Sequence, residues 1–387
     1  MRLLRVQVPD FRVLKNIDIS FEKDFFPQIF PIGSQNGGGK STLLQLIFIL
    51  LHCSGDPEKI EYVVNVLHRC QLEDELDQKT LAIFEILTDN REEVKLDFFI
   101  CRDAYIKDLL SNLDGQKEDW DTVAINYLLK IKNILEINNL LYLCQAKNQK
   151  NQEIFLLCKF SQSTREEFQL FMKELSSKVF LAAPSTQVFI FLPKATNKSL
   201  FQINQGNPDS SNYYLAMADI KKKLSNLFTY DFMPVELLIN YFIMARDQDF
   251  AQAIETGEYG NNYQLRRQNL NSILSDKEIN LDKDISGITF KFKGDTNGEE
   301  LYPEDLSHGE LKRLSIYLWL KYRRIKDAIV LMDEIEIALH PDWQYKIIED
   351  LQEWEPSNQY ILATHSYELC QALTPAHVKE IEPKLLK

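Results

Sequence analysis

The 387-residue chain lacks an apolar run of the ~18 residues that a membrane span needs. The longest run, residues 43–51, is interrupted by Gln45 and reads as a buried helix. Met1-Arg2-Leu3-Leu4-Arg5 leads straight into an alternating stretch with no apolar leader or small-residue cleavage site, so a cytoplasmic protein with no membrane partner is expected. Cysteine is sparse. Cys53, Cys70, Cys101, Cys144, Cys158 and Cys370 form no CxxC pair and have no histidine at ligand spacing, which argues against a disulfide framework or zinc site and for buried thiols. A basic excess is also missing. Lys+Arg 44 against Asp+Glu 57 gives a net charge of −13, so any nucleic-acid surface has to be a local patch. The basic clusters of the middle region are Lys221-Lys222-Lys223 and Arg266-Arg267, short enough to be solvated faces. With 13 Gly and 13 Pro, fibrous and disordered architectures are excluded. The remainder, 45% hydrophobic and 26% charged, suits two globular domains or one large domain carrying an insertion.

Residues 1–102 read as strands, a glycine-rich loop, a helix and a hairpin. Segments 3–8 and 17–21 have strand character, 30–32 is a short apolar strand ending at Gly33, and 81–87 and 94–101 flank a turn at Thr88-Asp89-Asn90. Residues 103–284 predict a mostly helical insertion with short strands. It holds a helical pattern over 120–139, a hairpin of 140–144 with 154–160, and a Ser163-x-x-Glu166 capping box opening a helix to Leu175. A strand at 178–182, an apolar run at 188–192 and helices over 211–274 follow, broken at Pro234 and at 257–262. Residues 285–387 alternate again: strand 288–292, a turn at 294–298, a helix to about Lys321, strand 328–332, helix 342–354 and strand 360–363. Such alternation predicts a mostly parallel sheet with its chemistry at the strand carboxyl ends.

Four segments carry chemistry. Asn36-Gly37-Gly38-Gly39-Lys40-Ser41-Thr42 lies between a strand and a helix, where glycines let backbone N–H groups turn toward a polyphosphate. Lys40 would reach the β/γ-phosphates and the Ser41 hydroxyl would ligate Mg²⁺. The pattern G-x-x-x-x-G-K-[ST] wants glycine at 34, but Ser34 stands there with Gly33 one place earlier, which predicts a slightly altered turn. Asp333-Glu334 closes an apolar strand, where one carboxylate can hold Mg²⁺ and the next can take a proton from water. Leu306-Ser307-His308-Gly309-Glu310 combines a capping box with a glycine amide and a helix start, a geometry that also suits an anion. His365 follows the last strand, where an imidazole could meet a phosphate.

In this order the four segments resemble the ABC-type ATPase superfamily. Asn36 to Thr42 matches the Walker A loop, Leu306 to Glu310 the signature, Ile329 to Glu334 Walker B, and Thr364-His365-Ser366 the switch histidine. Asp333-Glu334-Ile335-Glu336-Ile337-Ala338-Leu339-His340-Pro341 is closer still to the non-transporter branch, the SMC, RecF and OLD-like ATPases of bacterial repair and phage defence. That branch often has Glu-Pro-Glu here; Ile335 replaces the proline while both carboxylates remain. Asp10-Phe11-Arg12 with Ile17-Asp18-Ile19 is similar to its opening strands.

The resemblance implies an α/β fold: an ABC-type P-loop ATPase head with a mostly parallel sheet, split by the insertion into parts 1–102 and 285–387. It implies ATP and Mg²⁺ as cofactors and an ATP-dependent head-to-head homodimer. Ser307 and Gly309 of one copy would bind the γ-phosphate held by Lys40 of the other. Glu334 would be the general base, Asp333 with Ser41 would hold Mg²⁺, and His365 would sense the γ-phosphate. Gln187 is the candidate Q-loop glutamine and Arg12 a candidate ATP contact. The 267 positions from Lys40 to Ser307 exceed what a transporter ATPase needs. Only 22 residues follow His365, too few for a Toprim nuclease, so no intrinsic nuclease is expected. The leading expectation is a sensor or scaffold subunit of a defence system that controls a separately encoded effector. A RecF-like DNA-repair clamp, with DNA as partner, and an assembly module that hardly hydrolyses ATP are the alternatives.

Overall fold

The computed structural model describes residues 1–35, 37–73, 75–111, 134–135, 137–161, 164–187, 191, 210–230, 235–282, 284–285, 287–294 and 300–381. Asn36, Ser163, Pro234, most of the helical pattern over 120–139, the run at 188–192 except residue 191, and most of the 294–298 turn lie outside them.

In chain order, β1 (Arg2–Phe11), β2 (Leu14–Ser20) and β3 (Ile29–Gly33) precede α1 (Lys40–Phe48), which runs on as a π turn over Ile49–Cys53; α2 (Ile60–Leu67) follows. Next come β4 (Gln78–Leu87), β5 (Glu93–Cys101), α3 (Asp103–Ser111), β6 (Leu140–Lys147) and β7 (Glu153–Phe160). The chain continues through α4 (Arg165–Lys178), β8 (Val179–Ala183), α5 (Ser210–Lys223), β9 (Leu227–Thr229), α6 (Val235–Thr256) and α7 (Asn262–Ile273). A hairpin of β10 (Lys277–Leu281) and β11 (Ile288–Phe292) leads to α8 (His308–Tyr322) and β12 (Ile329–Asp333). The last elements are α9 (Pro341–Trp354), β13 (Gln359–Ala363), α10 (Tyr367–Gln371) and β14 (Lys379–Glu380).

Two six-stranded sheets result. One is antiparallel, ordered β2-β1-β4-β5-β7-β6; the other is parallel throughout, ordered β14-β3-β13-β12-β8-β9. The central strands of the parallel sheet are buried on both faces, which is why they read as continuous apolar runs. Ile329 and Leu331 face a core shared with the antiparallel sheet and α1, while Val330 and Met332 face a second core with α6, α7, α8 and α9. Parallel pairing brings the carboxyl ends of β3, β13, β12 and β8 to one edge.

The expected boundaries at 103 and 284 do not separate a domain. β6 and β7 complete the antiparallel sheet, and β8 lies between β12 and β9 in the parallel one. The reason is hydrogen bonding: without β8, the buried edge of β12 would leave its backbone groups unpaired. The helical part of this stretch, α6 and α7, packs its Leu238, Phe242, Leu270 and Ile273 into the second core. The capping box of α4 is also one residue later than expected. Thr164 accepts from the Glu167 amide at 3.3 Å and Glu167 accepts from the Thr164 amide at 2.9 Å. Glu166 and Glu167 are adjacent, so the pattern alone could not choose between them.

At the π turn, buried His52 donates from Nδ1 to the Ser176 carbonyl at 2.6 Å, and the Ser176 hydroxyl donates to the His52 carbonyl. Nε2 is buried without a partner among the described residues. Burial, and then the charge of Lys59, lower the imidazole pKa to about 4. Below pH 6.5 the unfolded chain therefore takes up a proton that the folded chain refuses, and stability present above that pH falls by about 3 kcal/mol as the pH drops to 4. Urea melts at pH 7 and pH 4 should show this loss, and His52→Gln should flatten it.

Candidate functional site

The glycine-rich loop bends where only glycine fits. Gly39 precedes α1 with φ +95°, and a Cβ there would meet Leu14 Cδ2 at 2.6 Å. The β1–β2 turn thus packs directly on the loop. Ser34, the departure from the expected pattern, has a use of its own: its carbonyl and hydroxyl accept from Lys40 Nζ at 3.2 and 3.1 Å. The same ammonium lies 3.0 Å from His365 Nε2, so His365 and the loop lysine meet across 325 residues of sequence. An open cleft of about 1040 Å³ adjoins them, lined by Ser34, Gln35, Thr364, His365 and Tyr367.

The Ser41 hydroxyl donates to Asp333 Oδ1 at 3.1 Å. Asp333 is 2% exposed, and its Oδ2 is buried without a partner among the described residues. Burial, with Glu334 and Glu336 nearby, raises its pKa to about 7 against the opposing Ser41 hydrogen bond and Lys40. Burial also lowers the Lys40 pKa, against the pull of Asp333, Glu336 and Glu334. A buried, strained-for-charge carboxylate with an orphaned oxygen beside a loop hydroxyl is a donor set that fits Mg²⁺, whose charge would restore the ionised form. Ser41 and Asp333 would hold it.

After β12 the chain turns sharply, with Glu334 at φ +52° and Ala338 at φ +67°. Neither is glycine, and the turn is held from several sides. The Glu334 amide donates to the Ala363 carbonyl at 2.9 Å, while buried Lys312 of α8 donates to the Glu334 and Ile337 carbonyls, each at 3.0 Å. Lys312 also sits 4.1 Å from the Tyr230 ring centroid. Glu336 accepts the His365 amide at 2.7 Å.

The signature segment is built by the same local chemistry that was expected. Ser307 caps α8, its hydroxyl and amide both engage Glu310, and Lys277 pairs with Glu310 at 2.9 Å. Burial alone would raise the Glu310 carboxyl, but Lys277 and Ser307 outweigh it and hold the group below its usual range. Gly309 meets a close neighbour: a Cβ would lie 2.8 Å from the Trp343 ring. Among the described residues no hydrogen bond or ion pair joins Ser307 or Glu310 to Lys40, Ser41 or Thr42.

The structure therefore joins Lys40 to His365 and Ser41 to Asp333 beside the Glu334 turn, while Gly309 lies against Trp343 and the Ala338 carbonyl and Ser307 against Glu310. Gln187 follows β8, and its carbonyl accepts from the Gln45 amide of α1. Arg12 is exposed at the β1–β2 turn, without a hydrogen bond to the loop among the described residues; it lies near Arg69, whose pKa is lowered by burial and then by the like charge of Arg12. Asn36 lies outside the described residues. Residues with site contacts that motif reading passed over are Ser34, Lys312 and Glu336. Glu336 left a trace as the second carboxylate of Glu334-Ile335-Glu336, and Ser34 as the residue standing where the loop pattern wants glycine.

If Asp333 and Ser41 hold the metal, Asp333→Asn should keep metal-free ATP binding and lose at least about tenfold of the affinity that Mg²⁺ adds. Calorimetric ATP titrations with and without Mg²⁺ would measure it.

Residues 192–371 match the family described as AAA domain, putative AbiEii toxin, Type IV TA system. Two curated relatives are similar over short stretches. The retron Vc95 probable ATPase of Vibrio cholerae serotype O1 biovar El Tor is 32% identical over 96 residues, 22% of this chain and 19% of that protein. The retron Ec83 probable ATPase of Escherichia coli is 40% identical over 51 residues, 13% of this chain and 9% of that protein. The chain thus aligns with under a fifth of the relatives' length. Among solved structures, the SMC head domain from Thermotoga maritima aligns over 96% of this chain and 92% of its own at 10% identity and a TM-score of 0.43. The matches to an AAA domain and to two retron probable ATPases agree with the reading of the chain as an ATPase.

Proposed function

We propose that this protein binds and hydrolyses ATP as a head-to-head dimer and serves as the sensor or scaffold subunit of a bacterial anti-phage system, controlling a separately encoded nuclease or toxin. The observation that carries the ATPase part is the juxtaposition of Lys40, Ser41 and Asp333, with the unpartnered Asp333 Oδ2 beside the loop. Similarity to two retron ATPases supports the defence setting.

In this reading Lys40 exchanges its contacts to Ser34 and His365 for phosphate oxygens, which leaves the imidazole placed to meet the γ-phosphate. Ser41 and Asp333 would hold Mg²⁺, which would supply neutralisation of phosphate charge. Glu334, on the strained turn beyond Asp333, accepts the proton of the attacking water. In this reading the phosphate side is completed by Ser307 and Gly309, and Ser307 shares no hydrogen bond with Lys40, Ser41 or Thr42 of its own chain among the described residues. A second copy supplies them, which makes dimerisation depend on ATP.

The effector reading draws on the α6–α7 tip. Phe250, Ile254 and Tyr259 are 54%, 72% and 72% exposed there, beside Glu255 and Glu258 and an Asp247 that pairs with Arg246 at 2.9 Å. An apolar ridge with an acidic rim suits a basic amphipathic surface on a partner protein.

The purified 387-residue chain should hydrolyse ATP. Lys40→Ala should abolish binding, and Glu334→Gln should lower kcat by about 10²–10⁴-fold while trapping an ATP-bound dimer visible by light scattering. Wild-type protein with no measurable hydrolysis would sink the ATPase reading, and a Glu334→Gln variant that stays monomeric with ATP would sink the shared site.

A further inference from the structure

We propose that Glu336 is a positioning residue for the switch loop: its carboxylate takes the His365 amide where the sheet runs out and so aims the imidazole at Lys40. The inference rests on the ATPase reading for its kinetic consequence only.

The ladder between β12 and β13 runs in register from Ile329–Gln359 to Asp333–Ala363. One further bond, from the Glu334 amide to the Ala363 carbonyl, closes it. Past that point the two chains part. The Thr364 amide turns to β3, donating to the Ile32 carbonyl at 3.2 Å, and the next amide, that of His365, has no strand left to meet. Glu336 Oε1 accepts it at 2.7 Å, 29 residues away in sequence. A charged acceptor makes this one of the stronger hydrogen bonds at the site.

The carboxylate is held ready by its own turn. Ile335 is fully buried beside it, and Lys312 draws in the carbonyls on both sides, at Glu334 and Ile337. Glu336 thus has little freedom to follow the switch loop; the loop is held to it. The bond fixes the His365 backbone, and the ring then lies 3.0 Å from Lys40 Nζ. Glu336 Oε2 is buried with no partner among the described residues, so the His365 amide is the hydrogen bond recorded for this carboxylate. Removing the carboxylate therefore frees the loop rather than opening the core.

The test uses the full-length protein with isotope-labelled histidine rings. Six histidines give six ring signals, and His365→Ala identifies the one of interest. Glu336→Ala should move the His365 signal and leave the other five in place. Glu336→Gln, whose amide oxygen can still accept the His365 N–H, should restore the wild-type position. An unmoved His365 signal in Glu336→Ala, displacement of all six, or a Gln variant that behaves like Ala would each overturn the proposal. Should the Ala variant not fold, the Gln variant still decides, because a shifted His365 signal in it counts against the proposal.

Kinetics supply the second arm. Glu336→Ala should lower kcat by about tenfold with KM changed less than about twofold, and should add no more than about twofold on a His365→Ala background. Full multiplicative losses in the double variant would show that Glu336 acts independently of the imidazole. Absence of hydrolysis by the wild type would remove the ATPase reading, and the ring signals would still judge the positioning role.

Discussion

The pairing of β3, β13, β12 and β8 in one parallel direction is the constraint on which the rest depends. It sends the phosphate loop, the switch loop, the acidic turn and the Gln187 segment out of the same edge. No single strand carries the site. Each contributes one or two groups, and sheet register sets their spacing: Asp333 stands opposite Ala363, and Ala363 stands opposite Ile32. The Ser41–Asp333 hydrogen bond and the Lys40–His365 contact follow from that placement.

Electrostatics make the arrangement costly and therefore informative. Asp333, Glu334 and Glu336 crowd one ammonium, and burial opposes charge on both Lys40 and Asp333. Such a group of charges would be stabilised by a cation and a polyphosphate, one satisfying the carboxylates and the other the lysine. The Glu334 turn adds a left-handed residue that is not glycine, fixed by Lys312 and by the Ala363 carbonyl. Strain of this kind persists where surrounding contacts over-determine it.

The signature helix is anchored by different means. Arg313, 1% exposed, joins α8 to Asp350 of α9 at 2.7 Å and to the Ile273 carbonyl of α7 at 3.1 Å. Lys312, next to it, reaches the acidic turn instead. Neighbouring residues on one helix thus tie the helical stretch on one side and the acidic turn on the other.

Much of this was legible in the sequence because it depends on local backbone chemistry. Glycines at 37 to 39, a Ser-x-x-Glu cap at 307 to 310 and unbroken apolar runs before Asp333 and His365 each require a particular backbone, whatever surrounds them. Other features depend on contacts between distant segments, which leave no periodic trace. That β6 and β7 extend the antiparallel sheet and that β8 pairs with β12 were decided by which partners were within reach. Lys312 gripping the acidic turn and Glu336 taking the His365 amide are of the same kind. The sequence by itself determined which chemical groups the site contains, since residue type and local spacing suffice for that. Only the tertiary structure decided how they are aimed, because aim is set by sheet register and side-chain reach across hundreds of residues.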